Sequence, residues 1–374
     1  MPKSEWHFPR TAFAERLHTL LIESPTSAIS LFGPRRTGKT EFLIDDLIPL
    51  ARKKKHRVVY LSLWRTVDSP LATILHSFDA ALRGGNLGDR VGTAIRDLGP
   101  KLKLKPPGTG AEMEIDVGAL RGKPQDNHLL LLDQYCDRLA NEEHPTILLF
   151  DEFQELATSE DTASIVAALR TSLDTRKRSL VSVFTGSSQE GLRKMFSAKD
   201  APFYRFATQT TLPQLGDDFV DHQLGVFKSK AKRKIDRDDA LRIFREVEHN
   251  PLFFQQWLIA LMAYEELNAD TAVAHVLDEL GTEFGFAAIW EKLGSLDRAT
   301  LRMLAEDSPQ IYTEAVAAKM AKLTNQPRPS GAKVQASVRK LSRYGAIEKV
   351  AKDWQIQDPL FGTWTRSRAV DEFS

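Results

Sequence analysis

The stretch Gly33-Pro-Arg-Arg-Thr-Gly38-Lys39-Thr40 decides how the rest of the chain is read. It matches G-x-x-x-x-G-K-[ST] and lies in the context that pattern requires. The apolar run Ala28–Phe32 (AISLF) before it reads as a buried strand. After it, Phe42, Leu43, Leu47 and Leu50 recur at helical spacing, so a helix is expected from about Lys39. Glycines let the backbone curl so that successive N–H groups point at phosphate oxygens, and the helix N-terminus adds partial positive charge. A lysine at this place reaches the β- and γ-phosphates, and the following hydroxyl ligates Mg²⁺. Gly33, Pro34, Arg35, Arg36, Thr37, Gly38, Lys39, Thr40 and Glu41 are therefore the candidate nucleotide-binding residues, with ATP and Mg²⁺ as the ligands. Arg35 and Arg36 are either solvated or turned to phosphate or a partner.

A phosphate loop needs an acid to hold its metal. Thr146-Ile-Leu-Leu-Phe-Asp151-Glu152 is an apolar strand ending in two carboxylates. Asp151 is placed to support Mg²⁺ and Glu152 to polarise the attacking water. Acidic pairs also cap helices, but ligands of α/β folds gather at strand C-termini. Leu180-Val-Ser-Val-Phe-Thr185-Gly-Ser187-Ser188 is a second apolar strand ending in hydroxyls. Thr185 or Ser187 is the candidate sensor of the γ-phosphate, against the plainer reading of turn chemistry.

Working outward, Arg57–Leu63 is a further strand and Leu71–Leu82 a helix stopped by Gly84-Gly85. Residues 84–126 interrupt the pattern. Lys101–Lys105 and Met113–Val117 alternate around a Pro-Pro-Gly-Thr-Gly turn, a hairpin signal inside an insertion. Helices are expected at about Asn127–Ala140 and Thr162–Leu173, and a last strand at Phe206–Leu212. Strands separated by helices imply a parallel sheet covered on both faces. Beyond 213 the patterns are helical, including Asp239–Glu248 and Pro251–Leu267. From 293 the order is helix, helix, turn, helix, two short strands, which reads as a winged helix. Lys333, Arg339, Lys340 and Arg343 make its third helix basic, as a helix in a DNA groove needs, and Lys349 and Lys352 lie at the wing. The runs Arg52–Arg57 and Lys228–Lys234 are further basic patches, either solvated or tracking a nucleic-acid backbone.

The composition limits these readings. The 374 residues carry 51 Lys+Arg against 50 Asp+Glu, a net charge of +1. That excludes a uniformly basic nucleic-acid coat but not a local patch. With 42% hydrophobic and 27% charged residues, wholesale disorder is not expected. The single cysteine, Cys136, forms no internal disulfide, and the histidines show no metal-ligand spacing, so zinc is not expected. A chain with no apolar run of about 18 residues and no signal-like start is expected in the cytoplasm.

GPRRTGKT, LLFDEFQEL, FTGSS, Ala201-Pro-Phe-Tyr-Arg205 and His249-Asn250-Pro251 together resemble the archaeal-type ATPases, STAND-like P-loop NTPases related to AAA+ ATPases and origin-recognition proteins. The resemblance spans about residues 8–365. It implies an ASCE/AAA+-like P-loop core at 1–212, a helical lid at 213–292 and a winged-helix domain at 293–374. It also implies that Arg205 contacts phosphate from within the chain or from a neighbouring copy, and that Pro251 approaches the nucleotide base, although His249 stands where the family has Gly. Phe8 and Arg10 match the family's segment near adenine.

The expected function is an ATP-binding, slowly hydrolysing ATPase that acts as a nucleotide switch coupled to a winged helix. The alternatives are an ATP-dependent DNA-binding ATPase of a mobile-element or defence system, and a nucleotide-binding scaffold without turnover. DNA, a protein partner or a second copy of the chain are the expected partners, and no membrane.

Overall fold

A computed structural model describes residues 4–63, 69–83, 101–106, 112–116, 120, 125–157, 162–197, 201–231, 233–306, 310–350 and 352–374. The chain divides into two compact units, one of 1–33 with 39–213, the other of 34–38 with 214–374.

The first unit is built on five strands: β1 (Ala28–Phe32), β2 (Val58–Ser62), β5 (Thr146–Asp151), β6 (Leu180–Thr185) and β7 (Thr208–Thr211). They form one sheet in the order β2-β5-β6-β1-β7, parallel throughout. The side chains explain why. In β5, Leu148 and Phe150 enter one apolar cluster while Ile147 and Leu149 enter another. β6 divides the same way, with Leu180 and Phe184 on one side and Val181 and Val183 on the other. A strand whose alternate residues are all apolar needs cover on both faces, which parallel sheets receive from their crossover helices. Those helices include Thr11–Glu23 and Ile48–Lys53 on one face and Pro70–Leu82, Asp126–Leu139 and Ala163–Thr175 on the other.

β6 stands between β1, which carries the phosphate loop, and β5, which carries the acids. The register aligns their ends, pairing Leu31 with Thr185, Phe150 with Phe184 and Ser62 with Asp151. Under this edge lies an aromatic cluster. Phe150 and Phe184 stack at 5.1 Å, and Phe153, Phe196, Phe203 and Phe206 close around them. The last strand is shorter than the sequence suggests because Phe206 belongs to this cluster. The expected hairpin is present as β3 (Lys101–Leu104) paired antiparallel with β4 (Met113–Asp116). The rest of the 84–126 insertion, including Gly84-Gly85 and the Pro107–Gly110 turn, lies almost wholly outside the described residues.

The second unit is helical apart from one hairpin. Asp217–Ala231, Arg237–Glu246, Pro251–Ala263, Ala269–Glu283 and Phe286–Glu291 come first. Ser295–Ala305, Glu314–Thr324 and Gly331–Arg343 follow, held by Ala299, Met303, Val316, Met320 and Val334. β8 (Ile347–Val350) and β9 (Asp353–Ile356) then pair antiparallel, followed by the helix Pro359–Arg366 and a short 3-10 helix, Val370–Phe373. Trp364 is buried, edge-on to Trp290 at 5.6 Å, a core role. Among the described residues, no helix is long and apolar enough to cross a membrane.

Candidate functional site

β1 ends at Phe32 and the loop Gly33–Gly38 follows, with Arg36 at φ 60° and Gly38 at φ 85°. The left-handed Gly38 is where the glycine of the motif is needed, since a side chain there is strained. The helix that begins at Lys39 is π-helical over Phe42–Leu47. Lys39 is buried, and its Nζ donates to the Gly33 carbonyl across the loop at 2.7 Å. The Thr37 hydroxyl donates to the Pro34 carbonyl at 2.9 Å.

The loop helix and the acidic strand meet. The Thr40 hydroxyl donates to Asp151 Oδ2 at 2.7 Å. Asp151 is buried, and two further hydroxyls converge on it: Tyr60 from β2 donates to Oδ2 at 2.9 Å, and Thr185 from β6 donates to Oδ1. Burial, then the charge of Asp151, pushes the Tyr60 phenol well above its ordinary range, so it remains a donor at any physiological pH. A carboxylate and an adjacent hydroxyl are hard oxygen donors, the set that holds Mg²⁺ together with waters and phosphate. Asp151 and Thr40 therefore fit that ion.

Glu152 turns away from its neighbour. At φ 57° its carboxylate meets the end of β6 instead. Glu152 Oε2 accepts from the Ser187 N–H at 3.0 Å, the Ser187 hydroxyl at 2.8 Å and the Gln154 amide at 2.5 Å. The two candidate sensors are thus separated by geometry, Thr185 on Asp151 and Ser187 on Glu152. Neither Tyr60 nor Gln154 was singled out by sequence. Tyr60 was hidden in an ordinary apolar strand, whereas Gln154 was signalled by a polar residue inside LLFDEFQEL.

The remaining expected residues fall elsewhere. Glu41 does not join the cluster at Asp151. Its Oε1 lies 2.9 Å from His7 Nδ1, and His7 Nε2 lies 2.9 Å from Asp46 Oδ1. Donating its ring N–H groups to Asp46 and then Glu41 raises the His7 imidazole to about 9. Asp46 Oδ2 also accepts from the Arg10 N–H at 3.1 Å, so the segment before the first helix is pinned to the loop helix. The π-helical turn is the local distortion that carries Asp46 inward. His7, Glu41 and Asp45 are close enough to suggest a metal, but both His7 nitrogens already face carboxylates, which describes an imidazolium and not a ligand.

Within the second unit, the Arg36 guanidinium lies over the Phe284 ring at 3.6 Å and pairs with Asp358. Burial, then Arg35, lowers it to about 10. With the Gln357 amide nitrogen on the Gly345 carbonyl, its oxygen accepts from Arg35 at 3.2 Å. Both arginine side chains are therefore engaged by protein groups. Arg205, at φ 54°, is exposed with its guanidinium 5.3 Å from the Tyr204 ring. Pro251 is buried at the first turn of its helix, which Asn250 caps by accepting from Phe253 N–H at 3.0 Å, so the Asn-Pro pair has a sufficient local reason.

Two basic patches are partly consumed by structure. Lys340 donates to Asp297 at 2.7 Å and Ser337 donates to the same carboxylate at 2.5 Å. Arg233 donates to the Leu261 and Leu267 carbonyls at 2.9 and 2.7 Å. Lys333, Arg339, Arg343, Lys349 and Lys352 are exposed.

No protein-family model matches the chain, and no curated protein matches it by sequence. Solved structures do. A Walker-type ATPase of Pyrococcus abyssi superposes with a TM-score of 0.63 at 15% identity, covering 97% of this chain and 100% of its own. The ORC2 protein of Aeropyrum pernix, in its ADP form, gives 0.51 at 15% identity over 93% and 88%. The chain has the P-loop NTPase fold. The likeness extends through the second unit as well as the sheet.

Proposed function

We propose that this chain binds and slowly hydrolyses ATP with Mg²⁺, and works as a nucleotide-dependent switch coupled to a winged helix. The observation that carries this reading is the convergence of Thr40 and Asp151, 111 positions apart, at 2.7 Å, on a sheet in which β6 separates the loop strand from the acidic strand. Backbone N–H groups of Gly33–Gly38 cradle the phosphates. Lys39 leaves the Gly33 carbonyl to neutralise phosphate charge, and Glu41 stays with His7. Thr40 and Asp151 would hold Mg²⁺, which would supply charge neutralisation to the phosphates. Tyr60 and Thr185 fix the Asp151 carboxylate for that task. Glu152 takes the proton of the attacking water as general base, and Ser187, bonded to Glu152, is the sensor. A phosphate contact by Arg205 and a base contact by Pro251 rest on the family resemblance alone.

The division of the second unit into a lid at 213–292 and a winged helix at 293–374 is part of the proposal. Three helices and a two-stranded hairpin in the order of that motif support it. Arg339, Lys333 and Arg343 are the residues that would face DNA, positioning the helix through phosphates. An ATP-turnover assay with and without Mg²⁺ tests the first part. Turnover that requires Mg²⁺ supports it, and none in either condition defeats it. A gel-shift series with duplex DNA at rising salt tests the second. A shift that weakens with salt supports DNA binding, and no shift at low salt with or without ATP removes it.

A further inference from the structure

Glu152 occupies a left-handed backbone conformation, at φ 57°, that a glutamate adopts only when its surroundings over-determine it. Part of that surrounding is the apolar packing of its neighbours Phe150 and Phe153. The rest is three donors on one carboxylate oxygen. Two come from Ser187 and the third, at 2.5 Å, from the Gln154 amide. Gln154 is buried, and its amide nitrogen also reaches Ser187 Oγ at 3.4 Å.

The orientation of that amide is dictated by Glu152. Turned over, it would set its oxygen against a carboxylate oxygen. In the orientation that suits Glu152, Gln154 Oε1 is buried with no hydrogen-bond partner among the described residues. An orphaned buried carbonyl is unfavourable, and the amide nitrogen's other contacts, to Glu155 Oε1 and Ser187 Oγ, are long at 3.4 Å each. The short bond of that amide is the one to Glu152, at 2.5 Å.

The chain also makes room for it. A Cβ at Gly186 would fall well inside 3.0 Å of Gln154 Oε1, and one at Gly191 would come within 2.8 Å of its Cβ. The glycine of FTGSS is therefore the floor on which the Gln154 amide lies. We infer that Gln154 is a positioning residue for Glu152, holding the carboxylate on Ser187 in the one place where it can accept a proton from water, with Gly186 as the space that permits it. This inference rests on Glu152 being the general base of ATP hydrolysis.

The test is a double-mutant cycle in the full chain, measuring kcat for ATP and Kd for a fluorescent ATP analogue in the wild type, Gln154→Ala, Gly186→Ala and the pair. Loss of a positioned base should lower kcat about 10- to 100-fold in Gln154→Ala, with Kd within about threefold. Gly186→Ala should cost turnover by a similar factor, since its methyl displaces the amide. The double variant should lose much less than the product of the two single losses, because the amide that the methyl strikes hardest is gone and only Leu192 Cγ, at 3.0 Å, remains in its way. The inference is overturned if Gln154→Ala keeps kcat within about twofold of an active wild type. It is overturned equally if the two losses multiply, or if affinity falls in step with turnover, which marks Gln154 as merely structural. An inactive wild type removes the ATPase reading itself and this inference with it.

Discussion

The sheet edge of the first unit and the third helix of the second unit, Gly331–Arg343, handle charge in opposite ways. At the sheet edge two carboxylates collect donors from four elements. Asp151 has Thr40, Tyr60 and Thr185, and Glu152 has Ser187 and Gln154. Every one of these contacts is within the unit, and both acids are fixed before any ligand arrives. On the helix, Lys340 is spent on Asp297, while Lys333, Arg339 and Arg343 stand in solvent. A site whose geometry is built by neighbours carries its function in its structure. A basic face carries function only through what it meets.

That difference sets the order of expected effects. The largest is in the packing that supports the sheet edge. Phe184 is stacked on Phe150 and touched by four other rings, and Phe184→Ala should destabilise the first unit by about 3–5 kcal/mol, read by urea unfolding. A loss under 1 kcal/mol would mean that the aromatic cluster does not hold the acids in place. Next is the loop itself. Lys39→Ala should weaken ATP binding by about 100-fold, or ~2.7 kcal/mol, measured by titration calorimetry. Unchanged affinity would remove the phosphate-loop assignment.

The His7 clamp comes third. Its imidazole is raised from 6.5 to about 9 by Asp46 and Glu41. A group bound more tightly to its proton in the folded chain contributes stability fully below pH 6.5 and loses it as pH rises through 9. With His7 buried, that contribution is on the order of 2–3 kcal/mol. Wild-type thermal stability should therefore fall between pH 7 and 10, and His7→Gln should flatten the fall while lowering stability at pH 6. A variant that matches the wild type across this range contradicts the clamp. The smallest effects separate the two kinds of lysine and arginine on the basic helix. Lys340→Ala leaves a half-buried Asp297 short of a donor and should cost about 1 kcal/mol. Arg339→Ala should stay within about 0.5 kcal/mol in stability while weakening any DNA complex. Reversal of the two would mean that Arg339 is the structural residue.

Much of the sheet edge was legible because phosphate chemistry constrains spacing. Gly33–Thr40 and Thr146–Glu152 carry residue types whose positions the backbone geometry demands, and both lie at the ends of runs that only a buried parallel strand explains. The partners on the carboxylates were less legible. Tyr60 looks like any residue of an apolar strand, and its role depends on β2 pairing with β5 so that Ser62 aligns with Asp151. Such registers follow from the whole sheet and not from local sequence. Thr185 and Ser187 were both visible as hydroxyls at a strand end, but their separation onto different acids follows from the turn at Gly186. Lys340 and Arg233 were read as patch residues because a one-dimensional run gives no sign of a carboxylate or carbonyl brought close by folding. Arg36 likewise reads as either solvated or turned to phosphate or a partner, and the Phe284 ring and Asp358 that take up its guanidinium lie hundreds of positions away.

The central claim is that the sheet edge divides its labour, with Lys39, Thr40 and Asp151 binding Mg²⁺ and phosphate and Glu152 serving turnover alone. Glu152→Gln tests it most directly, measured side by side with the wild type for ATP-analogue affinity and steady-state phosphate release. The account predicts affinity within about threefold and turnover lower by about 10²–10⁴-fold. Turnover that survives the substitution, in a chain that still binds ATP, would contradict it.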